Sequence, residues 1–469
     1  MTTHIDHARI EREVAEYYRY ATFSHKWEDN EPLFEKVIRI VVYDLDESPT
    51  HDKLRMFCKI VRDSGFHWAW SDTCCINKGD HVVLQEALIS MFKWYECSAV
   101  TIVLLRGVRS PSKRGDLVRS IWNTRAWTFQ EYHASKVVRF YTEDWKPYLN
   151  LNILNHKESP KIISEMEEAT GVSARALMAL RPGLDDIREK LRLASTRETT
   201  RVEDEAYSLL GIFSMSLQVA YGERDKALGR FLAQLLMSSG DTSILAWTGK
   251  SGSFNSCLPA NIAVFNQLPT KHIPPARAEV DGIIARLPGS SLNSASIMRL
   301  YDRLLEPSVP SFDGQRMKPP CLNFRLGPLS AYRSNSGPFH AQTAIGVVKI
   351  MTEEDLSRFG SLRLYLVHPW IDFLLDRQPV GSVADTMPEE NIDDQLFASP
   401  TESLRQMRAL QVIARLRQPF GALLLTPDRR NVAAYRRVAA ESLITAEVEE
   451  ITPATLNKLV DSVRTLDVL

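Results

Sequence analysis

Trp127 and Glu131 stand four residues apart, a spacing that places two side chains on one helix face. An indole ring and a carboxylate could therefore meet the same space. A carboxylate beside an aromatic wall suits chemistry in which positive charge builds on a sugar, as in the oxocarbenium-like state of glycoside hydrolysis. Other groups able to complete such a site fall in two short segments. Ser24, His25 and Trp27 lie in YATFSHKW at 20–27, and Asp72, Cys75 and Asn77 in WAWSDTCCINKGD at 68–80.

Each of these residues also has a plain structural reading. Trp127 and Trp70 fit a core, where large aromatics are mostly found. Asp72 fits an acceptor of backbone N–H groups in a turn after a strand. Glu131 fits an exposed helix residue or an ion-pair partner of Arg125, and His25 a loop hydrogen-bonder. Cys75, with its neighbour Cys74, could act as a nucleophile only with a base in contact, so small unreactive thiols are the preferred expectation. The six cysteines form no CxxC pair, and neither a disulfide framework nor a metal site is expected. GKS at 249–251 is not a phosphate loop, because Ile244 stands where the first glycine is required.

Apolar spacing supplies the elements that would position these groups. Strands are expected over 20–24, 66–70, 99–105 and 137–141, with AVTIVLL in the third reading as a strand covered on both faces. Between them lie helices: one at 33–41, one from His51 to Gly65, one capped by Asp80 and carrying Leu84, Leu88, Met91, Phe92 and Tyr95, and a short one at 127–134. Such alternation predicts an α/β fold with a parallel sheet flanked by helices. In an open sheet of this kind ligands bind beyond the carboxyl ends of the strands, where all three segments fall.

Beyond 150 the pattern becomes helical, with runs at 203–220 and 225–237. A Pro- and Ser-rich stretch over 251–320 leads into strand-like runs at 344–350, 362–367 and 422–425, a helix at 403–417 and an acidic loop at 384–396. The expected division is 1–150, an α/β domain; 151–250, a helical extension; and 251–469, an α+β, strand-rich C-terminal domain. With 57 basic and 58 acidic residues intermixed, no basic stripe exists to follow a phosphate backbone, so nucleic acid is not an expected partner. The charged start and the lack of a long apolar run predict a cytoplasmic protein without a membrane span.

The two segments above, together with WNTRAWTFQEY at 122–132, resemble the three motifs of fungal heterokaryon incompatibility (HET) domains in order and spacing. RETTRVEDEAYSLLGIF at 197–213 and DTSILAWTG at 241–249 resemble the extension of basidiomycete members. Three positions depart from the family pattern, with Glu28, Ala126 and Arg224 where members often carry glycine. The resemblance implies a cell-death signalling effector that self-associates or engages other incompatibility or signalling proteins.

HET domains are in turn distantly similar to TIR domains, which implies a TIR-like, flavodoxin-like sheet. NAD-hydrolysing TIR domains place a glutamate four residues beyond a tryptophan, the spacing of Trp127 and Glu131. This resemblance implies Glu131 as the catalytic carboxylate and NAD as substrate, with no resident cofactor. Ser24, His25 and Asn77 would then be polar contacts, and Trp27 or Trp127 stacking surfaces, with Asp72 and Cys75 alongside. A non-enzymatic adaptor using the same surfaces, and a hydrolase using Cys75, are the alternative readings.

Overall fold

The apolar run Val100–Leu105 is buried at every residue and forms the middle of a four-stranded sheet. The computed structural model describes residues 7–267, 282, 294–305, 309–331, 338–369, 414–415, 418–431, 433–449 and 453–469. It divides into two compact units, 1–228 and 229–469.

In the first unit, α1 (His7–Tyr17) precedes β1 (Tyr20–His25), α2 (Phe34–Val37), α3 (Pro49–Asp63), β2 (Trp68–Ser71), α4 (His81–Cys97), β3 (Val100–Leu105), α5 (Ile121–Thr124), α6 (Ala126–Ala134) and β4 (Val138–Thr142). Every pairing in the sheet is parallel and the order is β2-β1-β3-β4. The expected α/β architecture is therefore present. Strand order reverses between β1 and β3, and the chain leaves both strands at the same rim, which is where a crevice forms in doubly wound sheets.

Local chemistry sets the boundaries of the helices. Ser48 caps α3 by accepting from the His51 N–H, and Gly65, at φ +84°, carries the chain out of it. Asp80 caps α4 as expected, accepting from Val82 and Val83 at 2.9 and 3.2 Å. The helix expected at 33–41 shrinks to the four residues of α2. Ile38 and Val41 are 64% and 63% exposed, so their spacing does not mark a buried face.

The two faces of the sheet differ in character. Ala21, Phe23, Val100, Ile102 and Leu104 pack with Leu54, Phe57 and Val61 of α3 in an apolar core. On the opposite face, Thr22 and Thr101 hydroxyls meet at 2.7 Å, with Ser98 and Ser135 bonded to them. This buried polar seam runs under α4 and α6.

After α7 (Pro160–Thr170), α8 (Ala174–Ala179) and α9 (Ile187–Ser195), the helical run expected over 203–220 is regular only in α10 (Asp204–Tyr207). Turns follow until Ser214 enters the left-handed region at φ +51° and ends the run. Arg224, one of the positions where glycine is common in the resembled family, lies at φ +56°, the conformation glycine favours. The Glu203 carboxylate stabilises that turn by accepting from the Gly222 and Arg224 N–H groups at 2.8 and 3.0 Å.

The second unit contains the helix Lys226–Ser239 for most of its length, close to the expected 225–237, and, among the described residues, a nine-stranded sheet. The expected strands at 344–350, 362–367 and 422–425 are observed as Gly346–Met351, Tyr365–His368 and Phe420–Pro427, joined in antiparallel pairings around an apolar core. The acidic stretch 384–396 and most of the helix expected at 403–417 lie outside the described residues.

Gly211 abuts Phe92 of α4 so closely that an added Cβ would sit 2.2 Å from the Phe92 Cβ. Gly211→Ala is therefore expected to destabilise the first unit by about 1–3 kcal/mol. A lowered urea midpoint with unchanged slope checks this.

Candidate active site at the carboxyl rim of the sheet

Strand pleating decides which rim residues can meet. Successive side chains of β1 point to opposite faces, so Ser24 joins the polar seam while His25 joins the apolar side and stacks on Phe23 at 4.1 Å. Ser24 hydrogen-bonds directly to the Glu131 carboxylate, and its own oxygen accepts from the Trp122 indole N–H at 2.7 Å. The Tyr95 phenol donates to the Phe23 carbonyl at 2.9 Å and acts electrostatically on the same carboxyl. Glu131 is only 4% exposed, and Ser24, Trp122 and Tyr95 are more deeply buried. It is neither an exposed helix residue nor in ion-pair contact with Arg125, which acts on it only as a nearby charge.

A consistent assignment of protons follows from these contacts. Trp122 donates to Ser24, Ser24 to Glu131, and the single Tyr95 proton goes to Phe23. Electrostatics favour the neutral acid. Burial pushes Glu131 up to about 8, the Asp72 charge adds to the rise, and the bond from Ser24 and the Arg125 charge offset part of it.

Asp72 lies at the end of β2 and accepts from the Trp27 indole at 2.7 Å. Burial raises its carboxyl to about 6, against the opposing pull of Lys78 and of the Trp27 bond. Rather than accepting backbone N–H groups in the turn, the Asp72 side chain joins two motifs. Two acids and two indoles consequently lie close along one rim.

The remaining candidates are placed differently. Trp127 packs with the cluster around α4 and acts on the Asp204 carboxyl, so its ring belongs chiefly to the core. Asn77 uses its amide oxygen on the Gly79 N–H at 3.1 Å. Cys75 is exposed, and its thiol falls to about 7 because of a hydrogen bond from Cys74 and the Ser71 N–H. His25 is held well below its ordinary value by burial, then by Lys53, Arg125 and Lys78, and neither ring nitrogen has a hydrogen-bond partner. It is therefore a neutral imidazole.

Trp122, Tyr95, Lys53 and Lys78 were not singled out by sequence reasoning. Trp122 stands inside the third motif, and its separation of nine from Glu131 gave no helix-face signal because α5 and α6 are distinct helices. The register of α6 is set from outside it. Ala126 donates to the Glu198 carbonyl at 3.0 Å, and buried Arg197 donates to the Arg125 carbonyl at 3.1 Å. The loop at 106–120 is secured by buried Glu165, which accepts from the Gly115 N–H and the Tyr148 hydroxyl at 2.9 Å each.

Glu131 binds its proton more tightly in the folded chain than at its ordinary value of 4.5. Stability contributed by the neutral acid is thus complete below that value and is lost as pH rises toward about 8. Glu131→Gln keeps a neutral acceptor for Ser24 and removes this loss. The melting temperature of the unaltered protein should fall relative to that of the Gln variant between about pH 5 and 9. Parallel curves would contradict the assignment.

Residues 20–117 match the family model for Heterokaryon incompatibility protein (HET). The chain is 31% identical over 225 residues to vegetative incompatibility protein HET-E-1 of Podospora anserina. That similarity covers 45% of this chain and 16% of the relative's length. No solved structure matches. Among the described residues no helix is long and apolar enough to cross a membrane.

Proposed function

We propose, from the match of residues 20–117 to the heterokaryon incompatibility family model, that the chain is a cytoplasmic incompatibility effector that hydrolyses NAD through Glu131. The observation that carries the reading is the buried Ser24–Glu131 hydrogen bond, which joins the first and third motifs beside Asp72 and Trp27.

The reaction would break the bond between nicotinamide nitrogen and the ribose anomeric carbon. The bonding electrons go to the pyridinium nitrogen, water adds to the carbon and releases a proton, and the products are nicotinamide and ADP-ribose. Positive charge builds on the ribose as the bond lengthens, and an ionised Glu131 would stabilise it. Ser24 holds the carboxylate in place. Since burial favours the neutral acid, the active form grows with pH toward about 8.

A second reading has an observation of its own. Glu131 is 4% exposed and hydrogen-bonded on its inner side, as a purely structural acid would be. In that case the same rim serves an adaptor that self-associates or engages other incompatibility or signalling proteins. A hydrolase using Cys75 has less support, because the shift of that thiol comes from Cys74 and a backbone N–H.

Purified protein incubated with NAD, dilute and at high concentration, should release nicotinamide detectable by chromatography. Glu131→Gln should lower the rate at least about a hundredfold while leaving circular dichroism unchanged. Absence of release from the unaltered protein under both conditions, or equal release by the Gln variant, would favour the adaptor.

A further inference from the structure

One positive charge already occupies the rim. The Lys78 ammonium sits 3.4 Å from the centroid of the Trp27 ring, and the Trp27 N–H is anchored to Asp72. Its other close partner is the Thr73 carbonyl at 3.3 Å. The negative charges acting on Lys78 include Asp72, Glu31 and Glu35, so ring face and carboxylates together form a place suited to a cation.

We propose that the Trp27 face is a binding site for a flat organic cation and that Lys78 is its built-in occupant, to be displaced on binding. The substrate class depends on the reading that NAD is the substrate. Its nicotinamide ring is an N-alkylated pyridinium, flat and positively charged, whereas the reduced form is neutral. A site that selects for charge on the indole face thus discriminates in favour of the oxidised form.

Displacement is physically accessible. Lys78 lies in the turn between β2 and α4, its charge rides on a flexible four-carbon stem, and an ammonium is strongly hydrated once it reaches water. Burial disfavours its charged form where it sits. A delocalised pyridinium loses less hydration on the same ring face. The occupied site thereby resists neutral molecules and yields to a competing cation.

Isothermal titration of the full chain with 1-methylnicotinamide, which carries only the cationic ring, tests the proposal against neutral nicotinamide. Lys78→Met should bind 1-methylnicotinamide about tenfold more tightly than the unaltered protein, with a smaller change for nicotinamide. Lys78→Gln serves as a second variant should the first misfold, and Trp27→Leu should abolish the gain. Unchanged or weaker binding of the cation in folded Lys78 variants, or an equal change for both ligands, overturns it. The readout is binding, not turnover. A chain that binds the cation as described yet releases no nicotinamide would refute the hydrolase reading alone.

Discussion

Buried hydrogen bonds run through the first unit from the Trp122 indole to Ser24 and from Ser24 to Glu131, and beside them the Tyr95 phenol donates to the Phe23 carbonyl. They tie β1 to α4, α5 and α6, and all their members are buried. Buried polar groups cost little while every donor and acceptor is matched, and considerably more once one is orphaned. The acid is therefore a structural constraint whether or not it is a reagent. An enzyme using it would have to exchange its internal partners for those of a substrate.

That constraint explains the contrast between the two faces of the sheet. The α3 face could be filled with Phe, Val, Ile and Leu because nothing there must be hydrogen-bonded. The opposite face carries Thr22, Thr101, Ser98 and Ser135, small hydroxyl residues that satisfy one another and bring the seam up to Ser24. His25 is the exception on the apolar side. Neither of its ring nitrogens makes a hydrogen bond, and Nε2 lies 3.8 Å from the buried Glu31 carboxylate.

Much of the frame was legible in the sequence. Val100–Leu105 is apolar at every position but Thr101 because both sides of it are covered, and Asp80 and Gly65 marked helix boundaries through local chemistry that needs no distant partner. The site was legible only in part. The helical spacing of Trp127 and Glu131 is real, yet the tryptophan that bonds Ser24 is Trp122, on a different helix. Trp127 turns instead toward Asp204, more than seventy residues on, and no periodicity encodes so distant a choice. The proximity of Ser24 and His25 in sequence was equally uninformative, since pleating separates adjacent residues.

At the outer rim, charged residues form a ladder across the loops. Lys53 pairs with Glu31 and Glu28, Glu28 with Arg106 at 2.7 Å, and Arg106 with Glu143 at 3.0 Å. Its rungs are unequally wetted. The Lys53 and Glu31 side chains are 5% and 4% exposed, whereas Arg106 is 37% exposed. Dissolved ions screen exposed pairs far more than buried ones. Rising ionic strength would accordingly slacken the half of the rim beside β3 and β4 first, leaving the half beside α3 closed, so that the mouth yields from one side.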